Sequence, residues 1–494
     1  MAQEIELKLS LPESAQRAFL RHPLLKSAEG KHAAQLTSIY YDTPDLKLRR
    51  AGIALRVRRH GKTWLQTVKC AGEVAGGLSA RPEWETPYAG HFDFSAIDDE
   101  AVRARLEKRA IMSRLEPLFE TSFRRATWRF DGVLLMFDRG WIAAGGRREA
   151  ISEIELELTD GGSEAEVGKL FALAEKLAAR LPLTPAPFSK AERGLRLHLD
   201  TPLAPEKAGE PALIPEMAPL SAFRVIALSC LDQLQRNHEG ALRSEDPEYI
   251  HQMRVATRRL RACMRLFAPL LPDGFVDDLV PRLRKLMGLL GAARDIDVLL
   301  TEIVAPVVAA LPDEPRLAAL AGVITDRRHS ARMHAMQWLG SHEFAQLMLH
   351  MLARLHEAPF DETAATEPVA AFADARLKKL RRKVRRLAEE ARVEDMASLH
   401  ALRIGIKRQR YALEFFAPVA RGKARRRQAA QLATLQGTLG ELNDLANAGQ
   451  LLTDCAGHDE RLREAVSLIA GWHGQRHARL MAAVPGLLAN LRGA

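Results

Sequence analysis

From residue 4 the chain alternates charged and apolar side chains, with Glu4, Glu6 and Lys8 on one face and Ile5, Leu7 and Leu9 on the other. A period of two is that of a β-strand whose faces meet different surroundings. Similar patterning predicts strands over 36–41, 53–59, 64–69, 81–86, 122–130, 133–138 and 151–158. Turn pairs such as Asp131-Gly132 and Gly145-Gly146 separate some of them. Ser10 with Glu13 reads as a capping box opening a short helix, with Pro12 near its start. Ser163 with Glu166 reads as a second, opening an amphipathic helix to about residue 181. Roughly eight strands with few helices predict a closed antiparallel barrel with helices outside it.

Residues 201–219, rich in Pro, Ala and Glu, read as a semi-stiff linker that permits independent motion of its two sides. From Leu220 onward the period changes to that of helices, and the expected class is an all-α bundle. This half repeats itself. HQMRVATRRLRACMRLFAP from His251 aligns with HALRIGIKRQRYALEFFAP from His400, a shift of 149 residues. At the same shift Gly291 meets Gly440 and Asp295 meets Asp444. Two motifs in one register predict two similar helical halves packed together. The expected chain is thus multidomain α+β: a barrel over 1–200, a linker over 201–219 and a helical domain over 220–494.

Charge sharpens this division. The net charge is +10, but residues 1–219 hold 32 Lys/Arg against 31 Asp/Glu, whereas residues 220–494 hold 40 against 31. A basic helical half calls for an anionic partner. Four scattered cysteines form neither a disulfide framework nor a zinc site. The opening residues lack a secretory pattern and no apolar run reaches membrane-spanning length, so the expected location is the cytoplasm, with no membrane partner.

The strands carry the candidate chemistry. Arg56 and Arg58 share a face, as do Arg81, Glu83 and Glu85, and Glu153, Glu155 and Glu157. Lys69, Arg125, Asp138 and Lys190 add to them. Any single strand of this kind suits a solvent-facing sheet. Together they form a sorted set: carboxylates repel unless a cation sits among them, and guanidinium groups repel unless an anion does. A short polyanion with divalent cations satisfies both, since Mg²⁺ prefers carboxylate and phosphate oxygens and arginine forks match phosphate. No Gly-rich phosphate loop and no nucleophilic Ser or Cys arrangement is present.

The strand EIELK, followed in order by SIYYDT, LRVRR, TVK, RPEWE, FDRG, EIELEL and SKAERG, resembles the CYTH, or triphosphate tunnel metalloenzyme, superfamily over residues 1–200. The resemblance implies an eight-stranded tunnel with charges pointing inward. It implies Mg²⁺ (or Mn²⁺) held by Glu4, Glu6, Glu153 and Glu155, with Asp138 joining them and Glu157 competing for a place. It implies triphosphate held by Lys8, Arg56, Arg58, Lys69, Arg125 and Lys190. The expected chemistry is metal-assisted hydrolysis, with Glu153, Glu155 and Lys8 as catalytic residues.

In the helical half His251, Arg254, Arg258 and Arg261 fall at spacings of three or four and form one basic stripe. His400, Arg403, Lys407 and Arg410 form the matching stripe. Lys378–Arg386 and Arg425–Arg427 are denser basic runs that circle their helices. This half resembles the CHAD family, which implies binding of inorganic polyphosphate. The fusion favours inorganic triphosphate as the barrel's substrate. The alternatives are a non-catalytic polyphosphate-binding protein and a triphosphatase for an organic, nucleotide or RNA 5′ triphosphate. Aromatic residues are 6% of the chain, with no interleaved aromatic–basic motif, which counts against nucleic acid.

Overall fold

A computed structural model of the chain describes residues 3–159, 166–357, 367–420 and 422–492. They fall into two compact units. One comprises Met1–Pro205 and Trp338–Ala358, the other Glu206–Gln337 and Pro359–Ala494.

The first unit is built on β1 (Gln3–Ser10), β2 (Gly30–Asp42), β3 (Ile53–His60), β4 (Thr63–Cys70), β5 (Glu73–Ala75), β6 (Leu78–Pro87), β7 (Glu116–Phe130), β8 (Val133–Ala144), β9 (Arg147–Leu158) and β10 (Thr184–Pro185). The ladder order is β10-β1-β9-β8-β7-β2-β3-β4-β6-β5, and pairing of β1 with β6 closes a ring of eight. The pairs are antiparallel, and β5 and β10 are short additions outside the ring. Each strand expected from the alternation is present, and most run longer. In β2 the first residues are exposed and only the later ones alternate, so the sequence signal covers just the half that lines the barrel. Ser10 ends β1 rather than capping a helix, and the 3₁₀ turn Glu13–Ala15 starts behind Pro12 without a side-chain cap. Ser163 lies outside the described residues, and the helix that follows runs Val167–Ala178.

The apolar face of β1 turns outward. Leu7 and Leu9 are fully buried beneath helix Val167–Ala178, whose Leu170, Phe171, Ala174 and Leu177 face them. Onto that helix packs another, His342–Glu357, which lies within the helical half by sequence. His356 stacks on Phe171 with ring centroids 5.6 Å apart, and His350 reaches Glu175 at 3.7 Å. Leu352 rests on Gly76, where a Cβ would fall 2.1 Å from its Cδ2. The barrel unit therefore draws on chain that the sequence boundaries assigned to the helical domain.

The second unit is helical. Helices Glu248–Phe267 and Phe275–Val298 recur as Met396–Phe415 and Lys423–Ala456. The repeat is visible in the core, where the matched Phe267 and Phe416 meet at 5.8 Å and both are fully buried. After Phe275–Val298 a π-helical turn, Leu299–Val304, interrupts the ladder. It leaves the Ile303 carbonyl to accept from His473 Nε2 at 2.9 Å, so His473 is a core residue. The expected free linker is corrected from Glu206 onward. The Glu206 N–H donates to Asn237 Oδ1 (3.0 Å), Asn237 Nδ2 donates to the Glu206 carbonyl (2.8 Å), and the Val369 N–H donates to the Met217 carbonyl (2.8 Å). No helix among the described residues is long and apolar enough to cross a membrane.

Truncating Leu352, a buried side chain on the late helix, opens a cavity against the barrel. Leu352→Ala in the full chain is expected to lower the stability of the barrel unit by about 2–5 kcal/mol. Chemical denaturation followed by tryptophan fluorescence checks this, since the barrel holds Trp64, Trp84, Trp128 and Trp141.

Candidate active site and anion-binding cavity

The inward face of the ring encloses a cavity of about 220 Å³, lined by seven cationic and six carboxylate side chains among the described residues. Strand register explains the sorting. In β1 and β9, Glu6 pairs with Glu157, Lys8 with Glu155 and Ser10 with Glu153, so the acidic triplet of β9 lies beside Glu4, Glu6 and Lys8 of β1. Arg56 and Arg58 belong to β3, four places from β9 in the ring of eight whichever way it is counted. An acidic wall thus faces a basic wall.

The two signs pair with each other. Lys69 lies 2.7 Å from both Glu4 and Glu83. Arg81 reaches Glu6 at 2.8 Å and Glu4 at 3.4 Å, while Lys8 bonds Glu6. Arg125 holds Asp138 at 2.6 Å and also binds Glu155. The Lys190 ammonium sits among Asp138 (2.8 Å), Glu155 (2.9 Å) and Glu153. Its position is set by Ser189, whose capping box with Glu192 starts helix Lys190–His198.

The charges that lack such a match show strain. Burial, then Glu4, Glu6 and Glu155, push the Glu157 carboxyl up to about 7. Burial, then Arg56 and Arg125, push Arg58 down to about 10, and its Nε donates to Ser38 Oγ at 3.1 Å. At Glu155 burial is outweighed by Lys190, Arg125 and Lys8, which hold it well below the usual carboxylate range. Excess negative charge on one side and excess positive charge on the other is an arrangement that a cation and an anion together would relax.

One carboxylate group among the described residues suits a hard cation. Oxygens of Asp138, Glu153 and Glu155 lie within 4.8 Å of one another, around the Lys190 ammonium, which occupies the centre as a positive stand-in. Glu4, Glu6 and Glu157 line the cavity without converging in this way. The residues present therefore fit a divalent ion. Lys8, Arg56, Arg58, Lys69, Arg125 and Lys190 all line the cavity, as do Glu4, Glu6 and Glu155. Asp138 and Glu153 stand behind that wall, reached through Lys190 and, for Glu153, also through Arg193 at 3.2 Å. Tyr40 was not singled out by its sequence, although it lies in the SIYYDT stretch. It stacks on Phe119 at 4.5 Å, and its hydroxyl hydrogen-bonds with Arg56.

In the helical unit the repeat brings part of each basic stripe together. His251, Arg254, Arg258, Arg403 and Lys407 line one cavity of about 380 Å³. Arg254 is braced by Asp295 at 3.3 Å and Arg403 by Asn443 at 3.1 Å. Gly291 lets Arg254 lie flat, since a Cβ there would come 2.7 Å from its Nη1. His400, Arg261 and Arg410 do not line this cavity. His400 is exposed. Arg261 is about 10 Å further along its helix than Arg254 and faces Arg265 and Arg284 instead. Arg410 lines two neighbouring cavities. The basic side chains of Lys378–Arg386 are exposed surface. Arg294, which also lines the cavity, escaped the stripe search because it sits on the next helix. The signal was its place in the repeat, where Arg294 aligns with Asn443.

The family model described as CYTH domain matches residues 2–195, and the one described as CHAD domain matches residues 225–453. A protein of Haemophilus influenzae called an inorganic triphosphatase is 33% identical over 208 residues, covering 40% of this chain and 55% of the relative. The chain thus spans about half the length of that curated relative. The crystal structure of the CHAD domain from the plant Ricinus communis is 34% identical, with a TM-score of 0.52, covering 59% of this chain and 97% of that one.

Crowding of cations leaves a titration signature. Burial, then Arg403 and Arg258, push Lys407 down to about 8 from its ordinary 10.5. Between these values the unfolded chain still holds a proton that the folded state has released, so stability rises with pH across that window. Lys407→Met is expected to remove this rise, of order 1 kcal/mol for a partly solvated group. Paired denaturation curves of the two proteins from pH 7 to 11 test it.

Proposed function

We propose that this chain, which consists of a CYTH domain followed by a CHAD domain, hydrolyses inorganic triphosphate to diphosphate and phosphate in its barrel and binds inorganic polyphosphate with its helical unit. The carrying observation is the opposition of an acidic and a basic wall inside a closed ring, at the size of a short anion. The similarity to an inorganic triphosphatase supports the substrate class. The cavity's own lining favours an inorganic anion. Tyr40 is its one aromatic ring among the described residues; with its face on Phe119 and its hydroxyl on Arg56, it leaves no free stacking platform for a base.

Binding is an exchange of partners. Arg56, Arg58 and Arg125 receive phosphate oxygens from the basic side, while Lys8 and Lys69 leave Glu6 and Glu4 to do the same. Asp138, Glu153 and Glu155, with Glu4 and Glu6 towards the cavity, would hold Mg²⁺ or Mn²⁺. When bound, such an ion neutralises phosphate oxygens and makes a water more acidic at neutral pH. With Asp138, Glu153 and Glu155 so engaged, Lys190 would turn its ammonium to the substrate. The fixed guanidinium groups then stabilise charge on the transferring and leaving phosphates without reorganising. The closed ring keeps bulk water from the remaining positions. In the helical unit, the cluster of Arg254, Arg258, Arg403 and Lys407 takes a flexible polyanion and needs no base-reading groups. A cytoplasmic location and the absence of a nucleic-acid partner complete the reading.

The full chain supplied with Mg²⁺ or Mn²⁺ is expected to release phosphate from tripolyphosphate in preference to ATP. Arg58→Ala and Glu155→Ala should each lower kcat by about 10²–10³, with Arg403→Ala near wild type. Preferred hydrolysis of ATP would replace the inorganic reading with a nucleotide one. No turnover of any triphosphate would leave the non-catalytic, polyphosphate-binding alternative.

A further inference from the structure

Helix Lys190–His198 carries a second cation, Arg193, whose side chain does not line the barrel cavity. The helix is seated tightly against the barrel wall on either side of it. Gly194 lets the helix press on Phe119, since a Cβ there would fall 2.2 Å from the ring. At the far end Arg147 of β9 donates to the carbonyls of Leu197 (3.0 Å) and His198 (3.5 Å).

From this fixed helix Arg193 grips β9 with its whole fork. Nε donates to Glu149 Oε1 at 2.6 Å, Nη1 to Glu153 Oε2 at 3.2 Å and Nη2 to the Ala150 carbonyl. Glu149 is engaged a second time, by Arg196 at 3.1 Å. The other oxygen of Glu153, Oε1, bonds the Lys190 ammonium, around which Asp138 and Glu155 also gather. Glu153 is buried and held from two sides, with one oxygen for Arg193 and one for the centre of the carboxylate group.

We infer that Arg193, anchored by Glu149, is a positioning residue that orients Glu153 for a divalent ion. The inference rests on the reading that Asp138, Glu153 and Glu155 hold such an ion. A glutamate has several free torsions, and ordering them opposes binding unless they are fixed beforehand. Lys190 cannot fix them for the bound state, because it holds the oxygen that the ion would take. Arg193 can, since it bonds Oε2 and leaves Oε1 turned to the group. Its planar fork spans three acceptors of one strand, which a point-like ammonium could not. Glu149 at 2.6 Å offsets its charge, so its effect at Glu153 is orientation rather than repulsion of a second cation.

The test is Mn²⁺ binding to the full chain without triphosphate, read from the electron paramagnetic resonance of the free ion. The binding that counts is the part lost in Glu153→Ala. Arg193→Ala should weaken it about tenfold or more. Arg193→Lys should weaken it too, because one ammonium cannot make all three bonds. Glu149→Gln should weaken it less, and adding Glu149→Gln to Arg193→Ala should cost nothing further. Arg196→Ala cuts the second bond to Glu149, leaves Glu153 untouched and should bind as the wild type does. Unchanged or tighter binding in Arg193→Ala overturns the assignment, as does an equal loss in Arg196→Ala, which would mark general loosening of the helix. Where Arg193→Ala fails to fold, unchanged binding in both Arg193→Lys and Glu149→Gln overturns it equally. A wild-type chain with no Mn²⁺ binding for Glu153→Ala to remove overturns the metal reading itself.

Discussion

Charged side chains that point into a closed sheet take their solvation from one another, and that constraint organises the barrel. Alternation along β1 and β9 sends one face to the helices and the other to the interior. Once β1 pairs with β6 the interior is sealed sideways, and its charges must cancel. They do so through a lattice of ion pairs such as Lys69 with Glu4 and Arg125 with Asp138. The cancellation is incomplete at two places, Glu157 and Arg58, on opposite walls. A site assembled in this way is poised to exchange internal partners for external ones, because each cation and anion that arrives replaces a pair already present.

The helical unit meets the same electrostatic problem with a different geometry. Its cations are brought together by duplication: each repeat contributes a basic helix face and a bracing polar group from the next helix, Asp295 in one and Asn443 in the other. The faces converge because the repeats pack on each other through Phe267 and Phe416. Burial first, and then the neighbouring Arg403 and Arg258, lower the affinity of Lys407 for its proton. Both cavities gather both signs: seven cationic and six carboxylate side chains line that of the barrel, and five Lys/Arg and four carboxylate side chains line that of the helical unit, among the described residues.

What was legible in the sequence follows from these two geometries. A period of two survives wherever a strand has one face on the core, so the strands and the acid-base sorting of β1, β3 and β9 are readable from the chain alone. The exposed first half of β2 has no such contrast and gave no signal. On the helices, angular spacing identified His251, Arg254 and Arg258 together with Arg403 and Lys407. The same spacing also gathered Arg261 and Arg410, because a helical projection discards distance along the axis. Arg294 was hidden for the complementary reason, since it reaches the cavity from a neighbouring helix, and Asn443 acts from such a helix through Arg403. Asp138 and Glu153 carry the right chemistry for a cation yet stand one layer behind the cavity, a depth that register alone does not give.

The least legible feature has the longest reach. Gly77 takes a φ of +84° and approaches so closely that a Cβ would lie 2.8 Å from the Lys8 carbonyl, while its own carbonyl accepts from the Lys8 N–H at 2.9 Å. Its neighbour Gly76 is covered by Leu352. The backbone of a tunnel lysine is therefore fixed by a turn that needs two glycines, and that turn is seated under a helix encoded about 270 residues later. Alternation and repeats are local or periodic signals, and a helix inserted between parts of another unit produces neither. The barrel and the helical unit are thus interleaved along the chain, and a cut at the apparent linker would remove part of the barrel's own support.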